Sequence, residues 1–138
     1  MTYEIISKRV RKTIKIRHPD DAYQCLKRYT KSRQEVFLTI TLNASHEIIG
    51  IHISTIGIIN RTIIHPREVF IHAILDNAIS IMIVHTHPSG CLKPSEEDKE
   101  ITKQIKEGGE LLCINVLDHL IIGKKGYYSF RKESSIFK

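Results

Sequence analysis

Ile79-Ser80-Ile81-Met82-Ile83-Val84, running without a break into His85-Thr86-His87-Pro88-Ser89-Gly90 and then Cys91-Leu92-Lys93-Pro94-Ser95-Glu96-Glu97-Asp98, is the stretch on which the fold turns. Its first six residues form an apolar run, rich in β-branched side chains and far too short to span a membrane. Such a run is expected of a strand covered on both faces. The Pro- and Gly-punctuated segment after it is a loop. A helix then runs from about Ser95 to Glu107, where Gly108-Gly109 supplies a stop signal. A buried strand feeding a loop and a helix places the chain in the α/β class.

The neighbouring sequence extends this pattern. Upstream, Pro66-Arg67-Glu68 opens a helix reaching about Asp76, with Val69, Ala73 and Phe70 inward. Residues 35–42, EVFLTITL, put Val36, Leu38, Ile40 and Leu42 on one side and Phe37, Thr39 and Thr41 on the other, which is a strand. Asn43-Ala44-Ser45 is a turn, and a second strand from Glu47 to Ser54 completes a hairpin. Nearer the N-terminus, Pro19-Asp20-Asp21 begins a helix with Ala22, Cys25, Leu26 and Tyr29 at helical spacing. Ile14 and Ile16, alternating with Lys15 and Arg17, read as a short strand. Downstream, Leu111 to Ile122 gives a long strand or strand pair, and Tyr127-Tyr128-Ser129-Phe130 a last strand. With no repeat, low-complexity tract or linker, residues 1–138 read as one domain, a mixed sheet with helices packed on it.

Composition narrows the class. Hydrophobic residues make up 41% and charged residues 26% of the chain, which excludes a disordered polymer. No apolar run is long enough for a membrane span and the first residues are not a secretory signal, so a cytoplasmic protein is expected. Cys25, Cys91 and Cys113 are scattered, which suits reduced thiols and excludes both a disulfide framework and a thiolate zinc ribbon. The net charge of +6 is uneven: residues 1–33 hold ten Lys/Arg against three acids, the remainder eleven against twelve. That basic quarter is either a solvated strand edge or an electrostatic footprint for nucleic acid, centred on Lys8-Arg9-Val10-Arg11-Lys12.

Chemistry concentrates in residues 84–98. Side chains alternate along a strand, so His85 and His87 present two imidazoles on one face. A divalent metal is what such a pair stabilises well, and zinc accepts nitrogen ligands. Asp98 is the candidate third ligand, leaving a position for water as in catalytic rather than structural zinc sites. Ser95-x-x-Asp98 also has the spacing of a helix capping box, with acids at the positive end of the helix dipole. Asp118-His119 offers either a carboxylate orienting a ligand imidazole or a strand pair pointing to opposite faces. His18, His46, His52, His65 and His72 have no ligand spacing and read as ordinary surface or half-buried histidines. Neither H-E-x-x-H nor the deaminase H-x-E with P-C-x-x-C is present.

His85-x-His87-Pro88 followed by Ser95-x-x-Asp98 resembles the JAMM metalloprotease motif of JAB/MPN domains. The phrases HTHPSG, KPSEED, ITKQIKE, VLDHLIIG and YYSF are similar to the bacterial RadC branch, over roughly Glu35 to Phe130. Typical members have Asn where this chain has Thr86. The resemblance implies a three-layer α/β/α, cytidine-deaminase-like scaffold and a Zn2+ ion held by His85, His87 and Asp98. It also implies catalytic roles for Glu35 and Ser95: Glu35 as general base, with Glu47 and Glu68 as rivals, and Ser95 as a donor to the developing oxyanion. The implied reaction is zinc-dependent hydrolysis of a peptide or isopeptide bond in an unknown protein or peptide substrate. The alternative is a DNA repair or recombination accessory protein that binds nucleic acid through the basic segment, its metal structural or vestigial. Full-length RadC proteins usually carry an N-terminal helix-hairpin-helix region; at 138 residues this chain is expected to lack one, and DNA binding by that route is then not expected.

Overall fold

A computed structural model describes residues 8–9, 13–57 and 64–138. Six strands form a single sheet: β1 (Lys8–Arg9), β2 (Val36–Leu42), β3 (Ile48–Ile56), β4 (Ser80–Thr86), β5 (Asn115–Gly123) and β6 (Gly126–Ser129). Their order across the sheet is β1-β3-β2-β4-β5-β6. Among the described strands only β4 and β5 run parallel, joined by a helical crossover. The β2–β3 hairpin closes where expected, because Asn43 Oδ1 accepts from the backbone N–H groups of Ser45 and Glu47.

The period-two pattern sorts side chains to two faces. Val36, Leu38, Ile40, Leu42, Met82 and Val84 face one layer, where α1 (Pro19–Leu26) packs Ala22 and Leu26 against them. Phe37, Ile81 and Ile83 face the other, under α2 (Pro66–Leu75) and α3 (Glu96–Leu112). The result is the three-layer α/β/α arrangement. Each fully buried Ile or Leu contributes about 1.5–3 kcal/mol relative to exposure, so covering both faces of β4 anchors the fold.

Several boundaries differ from the sequence pattern for physical reasons. Gly108-Gly109 does not stop α3, which continues through Leu112; Leu111 and Leu112 are therefore helical rather than the start of β5. The glycines serve close packing instead. A Cβ on Gly108 would lie 2.9 Å from the Phe70 ring, and one on Gly109 would lie 2.6 Å from the Ile114 carbonyl oxygen. The helix ends in a Schellman arrangement, with Ile114 N–H bonded to Gly109 O and Cys113 at φ 58°. Gly109→Ala should therefore destabilise the fold by about 1–3 kcal/mol, although alanine is the better helix former. A denaturant midpoint unchanged or raised in that variant would show that the backbone contact is not tight.

Four smaller corrections follow. The N-terminal helix is α-helical only to Leu26 and tightens into a 3-10 turn over Lys27–Lys31. Ile14–Ile16 is no regular strand but one isolated bridge, Lys15 to Glu47, although Ile16 is buried. Phe130 starts a short helix, α4 (Phe130–Glu133), instead of ending β6. His52 and His72 are buried, their rings stacked at 4.3 Å, with His52 Nε2 donating to Asp76 Oδ2 at 2.7 Å. Thr41 Oγ1 donates to the same oxygen at 2.6 Å, so these groups lock the end of α2 onto the sheet. Of the basic segment Lys8-Arg9-Val10-Arg11-Lys12, only the backbone of the two-residue β1 is described, and its side chains lie outside the described residues. Among the described residues no helix is long and apolar enough to cross a membrane.

Candidate metal centre

The end of β4 carries the site. His85 is still in the strand and 1% exposed, and His87 follows it with its backbone N–H bonded to Ile122 O of β5. Two residues apart on an extended chain, the imidazoles share a face, with ring centroids 4.6 Å apart. Antiparallel pairing sets Phe37 opposite His85, which brings the residues just before β2 to the same edge. There Glu35 is fixed at its backbone: Gly57 N–H donates to its carbonyl, and Val36 N–H donates to Thr86 Oγ1 at 2.8 Å. Its Oε2 lies 3.7 Å from His85 Nε2.

The third contribution comes from the first turn of α3. The capping box is present, since Ser95 Oγ accepts from Asp98 N–H at 3.0 Å and Asp98 Oδ2 accepts from Ser95 N–H at 2.8 Å. The same carboxylate also faces the imidazoles. Oδ1 lies 3.3 Å from His85 Nδ1 and Oδ2 lies 3.4 Å from His87 Nε2. Capping and contact with the histidines are thus not alternatives, because the cap holds Asp98 where it touches both rings. Among the described residues, the group whose single ligand atoms all fall within 4.8 Å of one another is Glu35, His85 and His87. Asp98 sits beside that group with one oxygen shared with the Ser95 amide.

Hydrogen-bond inventory shows what the cluster lacks. His87 Nδ1 lies 2.7 Å from the carbonyl oxygen of Cys91, which can only accept, so Nδ1 carries the proton. His87 Nε2 is then a bare lone pair facing the Asp98 carboxylate. His85 has no hydrogen-bond partner at either buried nitrogen, yet each nitrogen faces a carboxylate. A neutral imidazole has one N–H, so at least one more lone pair opposes an oxygen anion. With neutral imidazoles, acceptors are aimed at acceptors, so the site favours a positive charge, supplied by a proton on an imidazole or by a bound cation. Burial alone would lower the His85 pKa, but Asp98 and Glu35 outweigh it and raise the value above the ordinary one, so the two carboxylates favour positive charge at this imidazole. Burial alone would raise the Asp98 pKa, and the two imidazoles with the Ser95 N–H hold it well below the carboxylate range. Two nitrogens plus carboxylate oxygen is a donor set that suits zinc.

Support for the cluster comes from residues with no distinctive spacing. Thr102 Oγ1 donates to Asp98 O at 2.6 Å and therefore accepts from His119 Nδ1, also at 2.6 Å. His119 is fully buried, burial pushes its pKa down to about 3, and its ring is stacked 6.2 Å from that of His85. Its neighbour Asp118 points away and is held by Ser129 Oγ and the Arg131 and His119 N–H groups, so it orients no ligand. Thr86 is buried and pins the start of β2, beyond its role as the residue between two histidines. Cys91 contributes its carbonyl, while its thiol is exposed. Of the rival glutamates, Glu47 accepts from Asn43 Nδ2 at the far end of β2, and Glu68 is in the first turn of α2.

Comparison with known proteins places the chain among relatives. A family model described as RadC-like JAB domain matches residues 16–135. A UPF0758 protein of Alkaliphilus metalliredigens is 44% identical over 137 residues, covering 94% of this chain and 58% of its own length. One from Methanosarcina acetivorans is 41% identical over 123 residues, covering 88% of this chain and 54% of its own. Another, from Thermotoga maritima, is 42% identical over 103 residues, or 75% of this chain and 46% of its own. The chain thus spans about half the length of these curated relatives.

Proposed function

The chain belongs to the RadC-like JAB domain family, and from that premise we propose that it is a zinc-dependent hydrolase of amide bonds, acting on a peptide or isopeptide. The observation that carries this reading is the convergence of the Glu35 and Asp98 carboxylates on the imidazoles of His85 and His87. His85, His87 and Asp98 would hold the ion. When bound, zinc supplies Lewis acidity that makes water nucleophilic near neutral pH.

The remaining work belongs to the chain's own groups. Glu35, beside the histidines and with its side chain 35% exposed, accepts a proton from water at Oε2 and returns it to the departing amine. Ser95 Oγ accepts the Asp98 amide with a lone pair, so its own proton is available to a developing oxyanion. Ser95 is no nucleophile in this reading, because its partner is a backbone amide rather than an imidazole base. Cys91 O, by holding a proton on His87 Nδ1, leaves Nε2 as the nitrogen that would hold the ion.

The direct test is metal removal. Protein purified with zinc should cleave peptide substrates from a fluorescence-quenched library, lose that cleavage on chelation, and regain it with stoichiometric zinc. Cleavage that survives complete chelation would defeat the metallohydrolase reading.

A further inference from the structure

A cavity of about 460 Å³ opens directly beside Glu35, lined also by Arg33, Gln34, Gly57, Pro88 and Ser89. It crosses the edge of the sheet where β2 begins and where β3 and β4 end. A second cavity of about 390 Å³, around Lys106, Cys113 and Arg131, lies at the opposite end of β5 from the histidines. A substrate attacked by water at Glu35 has the first cavity beside it for the rest of its chain. Among the described residues that line it, two are charged, Glu35 and Arg33. Glu35 is turned to His85, whereas Arg33 is exposed and takes part in none of the ion pairs among the described residues.

We propose that Arg33 forms a carboxylate-binding subsite of this centre, so that preferred substrates carry a carboxylate on the part of the chain lying over the cavity. The guanidinium fork pairs with a carboxylate through two parallel hydrogen bonds, which a neutral amide cannot match. A lysine or arginine on the substrate at this place is repelled. The rest of the wall suits an extended peptide: Gln34 and Ser89 offer an amide and a hydroxyl to main-chain groups, and Pro88 offers an apolar surface. Gly57 has φ +116°, and among the described residues nothing lies within 4 Å of where a Cβ would stand. The carboxylate has two sources, an Asp or Glu side chain or the free C-terminus of the substrate. This assignment rests on the hydrolase reading above.

The test uses zinc-loaded full chain and matched peptides carrying Glu, Gln or Lys at each position near the scissile bond, each with a free or an amidated C-terminus. KM and kcat are measured separately, and binding of the same peptides to the Glu35→Gln variant is followed by fluorescence anisotropy. The carboxylate peptides should show KM and dissociation constants about tenfold lower than their neutral counterparts, as expected for a charge-assisted pair. Amidation that removes the advantage assigns it to the C-terminus; persistence through amidation assigns it to the side chain. In Arg33→Gln the ratio between acidic and neutral peptides should fall to about one, and Arg33→Lys should restore part of it. Equal KM for acidic and neutral peptides, or a preference that survives Arg33→Gln, overturns the subsite while leaving the hydrolase reading intact. Absence of both cleavage and binding for every peptide overturns the two together.

Discussion

Glu35→Gln should retain about one zinc per chain while its hydrolysis falls by about 10²–10⁴-fold, the range supplied by general base catalysis. Glutamine has the same shape and can still lie beside His85, but it cannot take a proton from water. The side chain is 35% exposed, and its backbone carbonyl is held by Gly57 N–H while the next residue's N–H is held by Thr86, so the replacement introduces no packing fault. Elemental analysis and turnover on one preparation separate the possible roles. Loss of zinc would make Glu35 a ligand, which its place within 4.8 Å of both histidine nitrogens makes a real alternative. Undiminished turnover with zinc retained would show that the proton goes elsewhere.

Asp98→Asn should have its main effect one step earlier, on the metal. The variant keeps an oxygen that can accept Ser95 N–H and cap α3, so the helix start survives. What it loses is the anion that both imidazoles face, at 3.3 and 3.4 Å. Zinc affinity should fall by more than about 100-fold, since even residues that merely orient a ligand cost 10–100-fold. Thermal unfolding gives an independent reading. Ligand at about 1,000 times its dissociation constant stabilises a folded protein by roughly 4 kcal/mol, so wild-type melting should rise with zinc. Melting of Asp98→Asn should respond little over the same range. An equal zinc response in both proteins would remove Asp98 from the coordination shell and leave it only the capping role.

Much of this centre is legible in fifteen residues because its geometry is local. An i, i+2 pair at the end of a buried strand must present both rings together, and a capping box must place Asp98 at the mouth of the following helix. Gly108-Gly109 illustrates the opposite case. The pair carries the signal of a helix stop, but the space it leaves is filled by Phe70 and by the chain entering β5, and neither contact is visible from local pattern. His52 and His72 are likewise unremarkable in spacing, yet the pairing of β3 with β2 and the packing of α2 stack them.

Strand, loop, helix and the two imidazoles thus follow from the order of residues alone, since each depends on backbone periodicity over a few positions. The base and its support do not. Glu35 is fifty residues from His85 and arrives there only because β2 and β4 pair antiparallel. A one-residue register slip between Ile81 and Met82 against β5 turns His119, rather than Asp118, toward the site's face of the sheet. Pairing partner and register are set by how two strands share hydrogen bonds and bury their neighbours, and that information exists only once the chain has folded.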